Sequence, residues 1–169
     1  MMNPSLRPRS GFTLIEVLVY LTIFIMVTTA ATYLLISLSD VVDRYRAHTL
    51  LYRSGSSALE HITVELRKAE QFNAAGSVTN VAATGALSVT NNSTTTTFNK
   101  SGSQLVLSKN SVNYGNIVDD AVMVNGFTVY QYTTSIGTLV RIKLNLTATV
   151  GNNSKSMTFY GGSVIRGDL

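Results

Sequence analysis

Apolar residues run almost unbroken from Phe12 to Leu38, and Glu16 is the only charge among them. At 1.5 Å per residue this run makes about 40 Å of helix, enough to cross a bilayer. From Asp40 to Phe72 the pattern turns amphipathic: Val41, Tyr45, His48, Tyr52, Leu59, Ile62, Leu66 and Ala69 recur at steps of three and four. Asp40, Asp43, Glu60, Glu65 and Glu70, with Arg44, Arg46, Arg53, Arg67 and Lys68, fill mostly the other positions. The periodicity predicts one continuing helix, near 90 Å if unbroken from about residue 13 to 71. Gly55 is its weak point, costing about 1 kcal/mol relative to alanine, and a bend or brief interruption is expected there.

Beyond Phe72 the period changes to two. Val140, Ile142, Leu144, Leu146, Ala148 and Val150 alternate with Arg141, Lys143, Asn145, Thr147 and Thr149, which predicts a strand over Thr138 to Val150 with one buried and one wet face. Gly151-Asn152-Asn153 tolerates positive φ, and Met157 and Phe159 resume the alternation, so a hairpin closing near Ser156 to Tyr160 is expected. Phe127 to Thr133 should pair on the other side through Thr134 to Gly137. Weaker strands are expected near Ala86 to Thr90, Thr94 to Asn99 and Gln104 to Ser108. One antiparallel sheet with an apolar face needs a cover, and the amphipathic half of the helix supplies it, so the fold class is α+β.

Composition agrees with one modest domain: 169 residues, 45% apolar and 13% charged, are too apolar for a disordered polyelectrolyte. More than a third of the residues after Phe72 are Ser, Thr or Asn, and helix propensity falls there. The expected organisation is a flexible, positively charged leading flank over 1–11, a membrane-spanning helix over 12–38, an amphipathic helix packed on the sheet over 39–72 and a β-rich domain over 73–169. The formal net charge is +4, of which Arg7 and Arg9 in the leader contribute two. The bases after Phe72 (Lys100, Lys109, Arg141, Lys143, Lys155, Arg166) are scattered, which argues against a phosphate-tracking surface. No cysteine is present, so disulfides, thiolate zinc sites and cysteine nucleophiles are all excluded. Arg7 and Arg9 favour a cytoplasmic N-terminus and an outer C-terminal part, although Arg44, Arg46 and Arg53 weaken the asymmetry.

The junction Arg9-Ser10-Gly11-Phe12-Thr13-Leu14-Ile15-Glu16 carries the functional signal. A charged side chain at mid-bilayer costs about 2.5–3.5 kcal/mol on insertion scales, less toward the edge, so Glu16 calls for a partner. An ordinary secretory signal places its small residues after the apolar core, whereas Gly11 comes before it. A cut at Gly11 would leave the apolar helix attached and expose a charged amine on Phe12.

Gly-Phe-Thr-Leu-Ile-Glu after a short basic leader resembles the class III signal of type IV pilins and pseudopilins. The resemblance implies cleavage by a prepilin peptidase between Gly11 and Phe12, N-methylation of Phe12, and pairing of Glu16 with the Phe12 amine of a neighbouring subunit. An α-amino group has a reference pKa near 7.7–8.0 and stays largely cationic, as that pairing needs. It further implies the lollipop architecture of a long helix followed by a sheet, in which 1–11 is a leader, 12–38 an assembly helix and 73–169 an extracytoplasmic domain. The bacterial inner membrane, crossed once with the C-terminal domain outside, would hold the chain before it enters a pilus or pseudopilus. Prepilin peptidase, other pilin or pseudopilin subunits, the inner-membrane assembly platform and the lipid bilayer are the implied partners, with nucleic acid disfavoured and no cofactor. The sequence departs from the family pattern in having Ser10 rather than a base before Gly11, no proline near Tyr33 and no disulfide. The layout of Ala58 to Ala69 followed by strands around Val129 and Ile142 is similar to W-type minor pilins and to the J-type pseudopilin of type II secretion, which sit at or near a filament tip and prime assembly.

Other candidate chemistry is sparse. His48 and His61 lie too far apart on a helix to share a metal and read as packing or surface residues. Asp119-Asp120 falls far below the six to eight oxygens calcium takes and reads as a turn before Val122. Asn91, Asn92, Asn99, Asn145 and Asn152 begin N-x-S/T triplets, which such a composition produces by chance. Tyr114, Tyr130, Tyr132 and Tyr160 would suit a ligand-facing patch, or simply strands. No nucleophile, base and orienting acid come together as a set, so an enzyme is not expected. The leading function is a structural filament subunit; the alternative is a minor pilin whose sheet domain binds DNA or surfaces.

Overall fold

The computed structural model describes residues 13–134 and 137–165, and the chain divides between Val41 and Val42 into two compact units. Helix α1 (Leu14–Lys68) supplies all the regular structure among the described residues of the first unit and opens the second. In the first unit the large apolar side chains from Leu14 to Leu38 are exposed on every side. The threonines among them are internally satisfied: Thr22, Thr28, Thr29 and Thr32 each donate a hydroxyl hydrogen bond of 2.7–2.9 Å to the carbonyl four residues earlier.

Among its described residues the second unit adds eight strands in two antiparallel sheets. β1 (Gln71–Phe72), β2 (Ala86–Asn91), β3 (Thr94–Ser101), β4 (Gln104–Lys109) and β5 (Val112–Asn116) lie side by side in chain order. β6 (Val122–Thr134), β7 (Gly137–Val150) and β8 (Asn153–Ile165) form the other sheet, again in chain order. The single sheet expected from the periodicity is therefore two. Between β5 and β6 the chain turns, with Asp119 Oδ1 accepting from the Ala121 amide at 2.9 Å and the Asp119 carbonyl accepting from the Val122 amide at 2.9 Å. The main-chain bridge between Thr84 and Phe127 links the flank of β6 to the segment before β2.

Tight hairpins set the registers. The two-residue loops Asn92-Ser93 and Asn110-Ser111 have positive φ at both positions, the geometry that matches the twist of paired strands. Gly151, at φ 57°, opens the β7–β8 turn, and Val150 pairs directly with Asn153. That hairpin closes earlier than the Ser156 to Tyr160 pairing expected, because β8 begins at the turn itself.

A single apolar cluster joins the second part of α1 to both sheets. Ala47, Leu51, Ala58, Ile62 and Leu66 on the helix meet Phe127, Val129, Ile142, Leu144 and Leu146 of the three-stranded sheet and Leu87, Phe98 and Leu105 of the other. The strand alternation of β7 holds: Val140, Ile142, Leu144, Leu146 and Ala148 are fully buried. The helical stripe holds only from Leu59 onward, Leu59 partly buried on the core and Ile62, Leu66 and Ala69 buried. Val41, Tyr45, His48 and Tyr52 are exposed, and Ala47, Leu51, Ser54, Gly55 and Ala58 face the core instead. Leu51 precedes Tyr52 by one residue, so the buried face is turned by about 100° from the expected one. Small residues explain the shift, since they let helix and sheet approach closely. A Cβ at Gly55 would overlap the Phe159 ring, and α1 runs through Gly55 without an interruption. The helix stops at Lys68, short of Phe72, which is instead drawn into β1 opposite Val89. Partly exposed Lys109 and Glu65 pair at 2.9 Å between β4 and the helix.

Candidate assembly site at the start of the helix

Thr13 directly precedes α1 and caps it. Its carbonyl accepts from the Glu16 and Val17 amides at 3.1 and 3.3 Å, and its hydroxyl Oγ1 receives the Glu16 amide at 3.4 Å. A threonine in this position satisfies one of the amides a helix start leaves open. Glu16 is then in the first turn, where the positive end of the helix dipole favours a carboxylate by about 0.3–1 kcal/mol. Its Oε1 accepts a hydrogen bond of 3.2 Å from the Tyr20 hydroxyl one turn on.

These interactions hold the acid in place without neutralising it. Among the described residues no cation lies within ion-pair distance of Glu16, and the neighbouring surface of Leu14, Ile15, Val17 and Leu18 is apolar and exposed. The arrangement presents a carboxylate on an apolar rod, with an unfilled demand for positive charge when water is removed. Gly11, Phe12 and the arginines before them lie outside the described residues. Thr13 and Tyr20 were not singled out in the sequence, although Thr13-x-x-Glu16 is the spacing of a capping box.

The remaining candidates disperse. His48 and His61 are exposed, and no group of three His, Cys, Asp or Glu able to hold a metal occurs among the described residues. Asp119 and Asp120 serve the turn before Val122, where Asn116 Nδ2 also reaches Asp120 Oδ1 at 3.3 Å. Asn92 and Asn152 sit in hairpin turns, Asn91, Asn99 and Asn145 on strands. Tyr114 stands on β5, whereas Tyr130, Tyr132 and Tyr160 belong to the three-stranded sheet.

Comparison with known families finds the prokaryotic N-terminal methylation motif over residues 6–32. No curated protein and no solved structure matches the chain. The motif spans the junction at Gly11 and Phe12, includes Glu16 and supports a pilin-like role in general, a structural rather than enzymatic one. It also implies processing by a prepilin peptidase and assembly with other pilins. Together with α1, which is long and apolar enough to cross a membrane, it is consistent with membrane anchoring.

Proposed function

We propose that this chain is a minor pilin or pseudopilin, a structural subunit of a type IV pilus or a type II secretion pseudopilus. Cleavage falls between Gly11 and Phe12, and Phe12 becomes the methylated N-terminus. The chain waits in the inner membrane with its β-rich part outside, then leaves the lipid for the filament by way of the assembly platform. The observation that carries this reading is Glu16: a carboxylate without a cation partner among the described residues, at the head of an exposed apolar helix and inside a methylation motif. In a filament the Phe12 amine of a neighbouring copy supplies the missing charge, and its distance from Glu16 along the chain sets the axial step between subunits. Low dielectric strengthens that pair relative to water, so one contact can fix register among otherwise featureless apolar surfaces.

Mass analysis of the N-terminal peptide tests the processing, with a chain beginning at methylated Phe12 expected. Glu16→Ala should leave membrane insertion unchanged and remove the protein from sheared filaments. Filaments that incorporate the variant at the normal level overturn the assembly role.

A further inference from the structure

Arg44, Arg46 and Arg53 follow closely on the apolar run that ends at Leu38, and against Asp40 and Asp43 they leave this stretch net positive. Bases on the outer side of a membrane span work against the orientation that Arg7 and Arg9 favour, a cost that a local anionic partner would offset. The protein itself supplies none. Among the described residues no carboxylate lies within ion-pair distance of any of the three, and all three are exposed. Arg44 Nε donates to the neutral Asn153 Oδ1 at 3.3 Å. Asp43 is spent on the β7–β8 turn, where a Cβ at Gly151 would lie 2.7 Å from its Oδ2.

Arg46, Leu50 and Arg53 recur at steps of four and three, so they share one face of α1. That face borders a groove of about 360 Å³ that reaches the end of β7 at Val150. Leu50 and Val150, partly buried against the core, give the groove an apolar lining, and Tyr45, 72% exposed, adds an aromatic one. Arg46 and Arg53 line the same groove. An apolar channel with two unpaired guanidinium groups matches a molecule that is itself divided, with hydrocarbon at one end and an anion at the other. Arginine suits both halves, since its stem covers apolar surface and its planar head binds phosphate oxygens in pairs. A free phosphate ion would meet the arginines and leave the apolar lining wet. Position in the chain decides the occupant: Arg46 comes eight residues after Leu38, where a chain leaving hydrocarbon meets lipid headgroups.

We propose that this groove holds one anionic phospholipid, its phosphate at Arg46 and Arg53 and an acyl chain against Leu50, Val150 and Tyr45. The site rests on reading the chain as membrane-held and adds what an apolar span lacks, a preference among headgroups. The full chain in neutral detergent is offered equal phosphatidylglycerol and phosphatidylethanolamine, and native mass spectrometry reads the lipid that stays bound. Two arginines at about fivefold each should favour phosphatidylglycerol by about 25-fold. Arg46→Gln and Arg53→Gln should each lower that ratio about fivefold, while Arg67→Gln, in the last turn of α1, leaves it unchanged. Tyr45→Ser should reduce retention of both lipids without changing the ratio. Glycerol phosphate in large excess should displace neither lipid. Equal retention of the two lipids overturns the site, as do unchanged ratios in the groove arginine variants or unchanged retention in Tyr45→Ser. So does a ratio that falls equally in Arg67→Gln, which marks net charge alone, or release by glycerol phosphate, which marks a plain anion site. Alkaline extraction of membranes separates the two readings. A chain released there overturns membrane anchoring and this site together, whereas a chain that stays and shows no headgroup preference overturns this site alone.

Discussion

Gly55→Ala opposes two effects at one atom. In an ordinary helix interior the change stabilises by about 1 kcal/mol, because alanine loses less backbone freedom on folding. Here the new methyl would overlap the edge of the Phe159 ring, with Cδ2 only 2.7 Å away and Cε2 and Cζ closer still. Displacing a packed ring from its rotamer costs about 1–3 kcal/mol. Gly55 is buried and the crowding is from one side chain, so the net effect should be destabilisation of about 1 kcal/mol. The decisive comparison adds Phe159→Ala, which removes all three crowding atoms. In that background Gly55→Ala should stabilise by up to about 1 kcal/mol, reversing sign. Denaturant unfolding of the four proteins in mild detergent, followed by tyrosine fluorescence, measures the cycle. Equal effects of Gly55→Ala in both backgrounds would refute the close-approach account of the buried helix face.

Further predictions concern the core and the hairpins. Phe127→Ala removes a fully buried ring where helix and both sheets meet, and should cost about 3–5 kcal/mol in the same unfolding measurement. Ser93→Gly relieves a non-glycine residue at φ 66° in the β2–β3 turn, and should raise stability by a few tenths of a kcal/mol up to about 1. Lys109→Met breaks a partly exposed ion pair and should change stability by no more than about 1 kcal/mol, with less effect at high salt.

The strands were more legible than the helix face they pack against. β7 alternates large aliphatics with polar residues without interruption, and a period of two admits only one assignment of its faces. The β7–β8 turn announces itself by residue type in Gly151-Asn152-Asn153. The helix misled because hydrophobic periodicity weighs bulk: Tyr45 and Tyr52 score as core, while Ser54 and Gly55 do not, yet close packing against Phe159 selects the small ones. β5 was missed because Val112 to Asn116 contains two asparagines and a glycine. Two sheets rather than one followed from a turn whose effect on strand order is not local. At the candidate site, Glu16 stood out as the only charge in an apolar run, whereas the Tyr20 contact depends on rotamers that spacing does not specify.

The threonine hydroxyls in the first half of α1 have a consequence for how such a segment changes surroundings. Thr22, Thr28, Thr29 and Thr32 each close a bond to their own backbone, so they ask nothing of a neighbour. A rod of this kind can trade acyl chains for other helices, or the reverse, without those four hydroxyls being stranded halfway. Glu16, the one charged side chain between Leu14 and Leu38, then carries the largest cost of any such exchange.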